Sequence, residues 1–553
     1  MHVRDLVAAR VTEALNKAQT DQALPTVPAP GSIVERPQNP EHGDFASSAP
    51  LKLARTMRMA PMDIAQALAD CIAIDREIAT VEIAPPGFIN FTLSPEWLQQ
   101  QVETILKAGE SFGSTDAGAG KRVQVEFVSV NPTGPVHVGH ARGAVIGSVL
   151  ASSLAAAGYE VSREYYLNDA GSQIDLFHQS LFARYAQTLG RDVELPASGY
   201  QGDYMTEFGA DLAQAHGDAF LQMPEDEGVR AVGVIGIERM IKNIRDDLAA
   251  LRVEFDVWFS EQSLFEASDY DTAMLMLREG GHVTEREGAT WFVSTALGED
   301  KDNVLIRSNG LPTYFASDAA YHYNKFVVRS FDLVTDIWGA DHQGHVNRVK
   351  AVVGALGVDP DRLNIIIGQM VALKRGGESV RASKRTGDII TLRELVDEVG
   401  PDACRYFFLS RSAEAQMEFD LELATKESQE NPVYYLQYAH ARIAGILRNA
   451  RERGLDFAEG DVHLLREPEE LALVRQLLLL PEIIETIAET MEPHRLPHYT
   501  LELATAFHWF YDQCRVISDD ESLTKARLKL VEASRIGLAR CLSLMGMAAP
   551  EQM

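Results

Sequence analysis

His137 and His140 stand three apart in the run NPTGPVHVGHARG (Asn131–Gly143), directly after the apolar stretch Val123–Val130. The Pro-Thr-Gly-Pro break and the Gly- and Ala-rich stretch after it predict a strand, a turn and the opening of a helix. A helix N-terminus carries unpaired N–H groups and a partial positive charge, so it is a natural seat for phosphate. Two imidazoles at its mouth would add hydrogen bonds to that seat. Gly139, Gly143 and Gly147 recur every four residues. A helix face without side chains would let a base or ribose lie against the backbone. The plainer alternative is that the glycines serve helix–sheet packing and the histidines are ordinary surface groups. The pattern is not G-x-G-x-x-G and no P-loop lysine follows, which argues against hydride transfer and against a P-loop.

A second constellation lies far downstream, in VRASKRTGD (Val380–Asp388), after a strand and the Gly-rich GQMVALKRGGES. Arg381, Lys384 and Arg385 make this a cationic loop. Set over a nucleotide, it would neutralise charge developing on a leaving pyrophosphate. A solvated basic loop is the competing reading.

The elements that must position these groups are legible in outline. From Val123, strand, turn, helix and strand (VSREYYL) begin a parallel α/β sheet. A helical, acidic stretch spans about 175–260. Short strands resume near Trp291 and run on through VLIRSNG, DLVTDIWGAD and LNIIIGQMVAL. Residues 1–118 read as a separate α+β domain, 119–430 as the sheet domain with RASKR at 380–388, and 431–553 as a helical bundle.

At 553 residues the chain is too long for one core. Its four cysteines form no CxxC pair, which argues against a zinc ribbon or a disulfide scaffold and for a cytoplasmic setting. No apolar run is long enough to span a membrane, so no membrane association is expected. The net charge of −29 would count against a nucleic-acid partner, although a local basic track can coexist with an acidic whole.

Together the two constellations are more specific than either alone. His-Val-Gly-His resembles the HIGH signature, and Arg-Ala-Ser-Lys-Arg the KMSKS signature, of class I aminoacyl-tRNA synthetases. Only Ser383 and Lys384 match the second signature; Arg381 stands at its first Lys and Arg385 at its last Ser. The wording EYYLNDAGSQI, WGADHQGH, SKRTGDIITLRELVDEVGPDACRYFFLSRS, NPVYYLQYAHARI and MGMAAPEQM is similar to the bacterial arginyl-tRNA synthetase family over nearly the whole chain.

The resemblance implies a class I Rossmann-like parallel-sheet catalytic domain between an N-terminal α+β domain and a C-terminal all-helical anticodon-binding bundle. It implies arginine activation by ATP, supplied with Mg2+ as the substrate complex, and transfer to the 2′-hydroxyl of the terminal adenosine of tRNA(Arg). The protein would act as a monomer, with activation dependent on tRNA and no bound structural metal. His137, His140, Lys384 and Arg381 would act on the phosphates. Gly139, Gly143, Asp341, His345, Met370, Val371 and Ser383 would hold the rest of ATP. Asn131, Asn168, Tyr314, Asp318 and Gln343 would bind arginine, with Asp318 on the guanidinium, whose five coplanar N–H donors suit a carboxylate. Phe88 and Asn90, two apart on a strand, would meet the tRNA elbow. Tyr438, Arg442, Trp509, Tyr511 and Met553 would meet the anticodon region. A synthetase for another amino acid or a metabolite adenylyltransferase, and a non-catalytic RNA binder, are the competing classes; the long C-terminal bundle and Asp318 argue against the first, and the intact His137, His140, Lys384 and Asp318 against the second.

Overall fold

The computed structural model describes residues 3–31, 33–380 and 390–553. The catalytic sheet is built from strands Arg122–Glu126, Glu160–Leu167, Val257–Ser260, Leu333–Gly339 and Leu363–Gly368. All neighbouring pairs are parallel, and the first strand lies between the second and the fourth. The order therefore reverses between Arg122–Glu126 and Leu333–Gly339. In open α/β sheets, ligands bind beyond the carboxyl ends of the strands at such a switch point. The loops leaving those two strands carry NPTGPVHVGH and ADHQGH respectively.

Helices cover both faces, so alternation along the central strand is lost: Val123, Gln124, Val125 and Glu126 are all buried. The helix Val138–Ala156 lies against the sheet because its small residues let it approach. A Cβ on Gly147 would fall 2.2 Å from the Phe127 ring. That glycine serves packing, and the side-chain-free ligand face expected from the four-residue spacing does not extend to it. The helix ends at Ala156, and Gly158 turns the chain at φ +87°.

Two expectations about this domain are corrected. The helical insert consists of Ser172–Thr188, Asp203–His216 and Glu225–Ala250, but the chain then returns to the sheet as the edge strand Val257–Ser260. Four residues are too few for periodicity to declare a strand. Strands Val283–Arg286, Ala289–Phe292 and Asn303–Ile306 do not extend the parallel sheet. They form a small antiparallel sheet of their own.

The N-terminal region packs helices Val3–Thr20, Ala49–Met57 and Pro61–Ala69 on an antiparallel sheet ordered Val34–Glu35, Phe45–Ser47, Phe88–Leu93, Ile78–Ala84. The C-terminal region is helical, from Pro432–Glu452 to Glu521–Leu544. These parts are not beads on a string. One apolar cluster runs from Val7 to Met547. Arg405 is 1% exposed and donates to the carbonyls of Leu251, Arg252 and Met545 and to Ser148 Oγ. One guanidinium thus ties the insert, the catalytic core and the last helix.

Candidate active site

The turn after the first strand is strained where it begins. Val128 and Ser129 take φ +72° and +43°, a region β-branched residues avoid. The strain is held by Ser129 Oγ, which donates to Glu126 Oε1 at 2.9 Å and accepts from the Tyr166 N–H at 3.1 Å. The chain then reaches His137, the N-cap of the helix. Its Nδ1 accepts from the Gly139 N–H at 3.1 Å. A Cβ on Gly139 would come 2.9 Å from that ring, so a larger residue here would push the His137 ring aside. A Cβ on Gly143 would meet only Ile337, at 3.8 Å.

The two imidazoles lie with centroids 3.6 Å apart and planes 34° off parallel. Burial lowers the pKa of both; His137 lowers that of His140 further, to about 3, against a weak opposing pull from Asp341. They are therefore neutral groups that offer hydrogen bonds rather than charge. His140 Nδ1 is buried with no partner among the described residues. The mouth is also braced from behind. Val138 N–H donates to Ile390 O (3.1 Å) and Leu392 N–H to Val136 O (2.7 Å), so the chain leaving 381–389 is paired with the His137 turn. Buried Arg142, one turn into the helix, donates to the carbonyls of Gln369, Ser412 and Ala415 and fixes the segment that presents Met370.

Beside the mouth lies an anionic pocket. Asp318 stands on the helix Tyr314–Tyr323, which Thr313 caps through its hydroxyl. Burial raises the pKa of Asp318, against the pull of His322, Arg348 and Lys325. Glu261, at the carboxyl end of the edge strand, is 6% exposed. Its pKa too is raised, by burial and by Asp318 and Asp169, while hydrogen bonds from Ser317 and Tyr166 oppose the rise. Asp169 is fixed by the Ser260 hydroxyl at 2.6 Å. The Asn168 amide lies 2.8 Å from Glu261 Oε2 and 3.2 Å from Asn131, whose own amide donates to Gln173 at 2.5 Å. Three carboxylates and two amides thus lie together at the carboxyl ends of the sheet strands. Such a site fits a ligand carrying an extended cation at one end and polar groups at the other.

The chain matches three family models: the arginyl-tRNA synthetase N-terminal domain over residues 5–93, the class I (R) tRNA synthetase catalytic domain over 101–408, and the DALR anticodon-binding domain over 436–553. The arginine–tRNA ligase of Dehalococcoides mccartyi strain BAV1 is 56% identical over 100% of this chain and 99% of its own. That of Carboxydothermus hydrogenoformans is 49% identical over 94% of each. This chain belongs to the arginyl-tRNA synthetases. The Thermus thermophilus arginyl-tRNA synthetase structure shares the fold, with a TM-score of 0.78 and 22% identity over the full length of both chains.

Within this synthetase fold, the residues singled out by sequence fall into several groups. His137, His140, Gly139 and Asp341 converge at the mouth, and Asn131, Asn168 and Asp318 at the pocket. Tyr314 is 56% exposed at the rim, a turn above Asp318. Gln343 is exposed on the 3-10 turn Ala340–His345. His345 is held by Arg348, with Nη2 2.8 Å from its Nε2. Met370 is 74% exposed, and Val371 opens the next strand. Arg381, Ser383 and Lys384 lie outside the described residues.

Away from the site, Phe88 is half-buried and Asn90 buried on the N-terminal sheet. Arg442 lies 4.9 Å from both the Tyr438 and Tyr511 ring centroids and donates to Tyr438 Oη at 3.0 Å. Trp509 and Met553 are more than half exposed.

Sequence reading missed Glu261, Asp169 and Arg142. The available signal for Glu261 was an acidic residue at the carboxyl end of a sheet strand, hidden by reading that strand as part of the helical insert. Among the described residues, no group of three His, Cys, Asp or Glu is placed to hold a metal ion, and no helix is long and apolar enough to cross a membrane.

Proposed function

We propose that the protein is an arginine–tRNA ligase. It activates L-arginine with ATP and transfers it to the terminal adenosine of tRNA(Arg). The observation that carries this is the anionic pocket of Asp318, Glu261 and Asp169 opening beside the neutral His137–His140 pair at the sheet's switch point.

In the first step the arginine carboxylate attacks the α-phosphate of ATP and pyrophosphate leaves. Asp318 and Glu261 take the guanidinium, and Asn131 and Asn168 orient the α-amino and carboxylate end. Tyr314 and Gln343 complete the rim. Arginine brings a full positive charge into a pocket whose carboxylates are desolvated. Its binding therefore favours their ionised forms.

His137 and His140 donate hydrogen bonds to the phosphates as charge redistributes, and the unpaired His140 nitrogen has capacity for one. Lys384 and Arg381 hold the β- and γ-phosphates from the other side, with Ser383. Mg2+ arrives with ATP. Asp341 accepts from the ribose, His345 flanks the adenine, and the backbone at Met370 and Val371 reads its edge. Gly139 and Gly143 leave room at the helix mouth. In the second step the terminal 2′-hydroxyl attacks the activated carbonyl. No covalent enzyme intermediate is needed, so the catalysis is positioning and electrostatic stabilisation.

The N-terminal domain, taken as residues 1–118, meets the tRNA elbow through Phe88 and Asn90. The bundle from residue 431 meets the anticodon region through Tyr438, Arg442, Trp509, Tyr511 and Met553. The half-buried Arg442–Tyr438 pair beside the exposed Tyr511 and Trp509 supports this, since unpaired bases stack on such groups. The protein works as a monomer in the cytoplasm, and activation waits for tRNA. ATP–pyrophosphate exchange with each amino acid in turn, with and without tRNA, tests the reading. Exchange with arginine alone, appearing on tRNA addition, is expected. Exchange driven by another amino acid would overturn the assignment of Asp318.

A further inference from the structure

A charged cluster lies directly beneath the arginine pocket, and its members are almost wholly buried. His322 is 2% exposed, and Lys325 and Asp336 are 0% exposed. His322 follows Asp318 by one helical turn, and both its ring nitrogens face oxygen. Nδ1 lies 2.8 Å from the Asp318 main-chain carbonyl and Nε2 lies 3.1 Å from Asp336 Oδ2. A carbonyl can only accept. Asp336 accepts from the Lys325 ammonium through its other oxygen at 2.8 Å. Burial works to raise the pKa of Asp336, but Lys325 and His322 outweigh it and the net shift is downward. Asp336 is therefore an ionised acceptor, so both ring nitrogens of His322 must donate. Only the imidazolium does that.

The balance of charge bears on the same state through Glu126. Glu126 accepts from Lys325 at 2.6 Å and meets the Ser129 hydroxyl at 2.9 Å; burial and Asp336 raise its pKa, against the pull of Lys325. With Glu126 ionised against Lys325, Glu126 and Asp336 carry two negative charges and Lys325 one positive. A neutral His322 would leave a net negative charge buried under a pocket that already holds Asp318, Glu261 and Asp169. A protonated His322 closes the cluster at neutrality. The neighbouring pair of Arg329 with Glu164, at 2.5 and 2.8 Å, is balanced by itself.

We propose that His322 is a buried imidazolium that positions Asp318 and keeps it ionised to receive the guanidinium of the substrate. The inference rests on the arginine pocket proposed above. The charged groups around His322 come from five elements. Asp318 is on its own helix, and Lys325 on the π-helical turn Asn324–Val328 that continues it. Asp336 is on the fourth sheet strand, with Glu126 on the first behind Lys325. Arg348, on the helix Val346–Ala355, faces Asp318 from the opposite side. His322 touches no substrate; it acts through the Asp318 carbonyl and through its charge one turn below the Asp318 carboxylate.

The first test reads the wild-type protein and uses a variant only for assignment. In protein labelled with 15N-histidine, the His322 signal, assigned by its loss in His322→Gln, should show both ring nitrogens protonated at pH 7. A neutral tautomer there would overturn the proposal. The second test uses the activity. His322→Gln should raise the arginine KM by about ten- to a hundredfold, the scale of a charge-assisted hydrogen bond, and leave the ATP KM within about twofold. Its acid limb for arginine kcat/KM should move to higher pH, because Asp318 loses a cation that favours its ionised form. A folded variant with an unchanged arginine KM and pH profile would also overturn the proposal. Wild-type protein without arginine-dependent exchange would instead count against the arginine pocket, while the ring-nitrogen measurement would still decide the state of His322.

Discussion

The proposed arginine pocket and the aromatic surface of the C-terminal bundle both place charge where a ligand is expected, by opposite means. Asp318 stands over a cluster in which His322, Lys325, Asp336 and Glu126 are desolvated and fully paired. Arg442 lies between the Tyr438 and Tyr511 rings, with Trp509 exposed nearby on the Tyr511 helix. The pocket is rigid and barely screened, because moving any one charge strands another. The bundle surface can repack at small cost. The first suits a small cation that must be told from near-isosteres. The second suits single-stranded nucleotides, which every aromatic face accepts.

Removing the central charge should break this comparison most visibly. Asp318→Asn is expected to lower arginine kcat/KM by about two to three orders of magnitude, in line with ~3–5 kcal/mol for stranding a buried charge. Wild-type enzyme should reject citrulline to a similar degree, and the variant should lose most of that discrimination; steady-state exchange kinetics measure both. The pH dependence comes next. The pKa of Asp318 is raised by burial, so its ionised form is lost from a higher pH than for an ordinary carboxylate. Arginine kcat/KM should fall as pH drops through that range, by up to about tenfold per unit. Because the pKa of His140 is held to about 3, kcat/KM for ATP should show no inflection from it between about pH 5 and 8.

At the bundle surface the expected effects are smaller. Arg442→Ala should weaken tRNA binding by about five- to a hundredfold, the range of one stacking contact, and leave the arginine KM unchanged. Filter binding and exchange kinetics separate the two. The smallest effect should come from salt at the pocket. Between about 50 and 200 mM salt, tRNA affinity should drop steeply while the arginine KM moves less than about twofold. An arginine KM that tracked salt would show the pocket to be far wetter than its burial implies.

How much of this was legible in the sequence depended on distance along the chain. The His137 turn announced itself because Pro, Gly and two histidines lie within a few residues, and local punctuation is what sequence patterns report. Tyr314 and Asp318 were singled out through the family resemblance, and their spacing of one helical turn only put them on one face. Glu261 was missed because its strand is four residues long and ends a helical stretch. The cluster under the pocket was invisible for a deeper reason. Lys325 meets Glu126 from 199 residues away, and nothing in either neighbourhood names the other. Gly147 shows the converse failure. Its spacing suggested an open face, and only the Phe127 ring above it shows that packing set the residue.

The guanidinium of Arg405 has a consequence for how the protein is made. Its acceptors at Leu251 and Arg252 leave the ribosome first, but Met545 follows Arg405 by 140 residues. At ~5–20 residues per second, roughly seven to thirty seconds pass before that acceptor exists. During that interval a nascent catalytic domain has an incompletely satisfied cation at its centre and lacks the helix that covers it. Synthesis order therefore delays the finished active-site scaffold until the tRNA-facing bundle is also in place, and a prematurely released chain would lack the contact that closes the core.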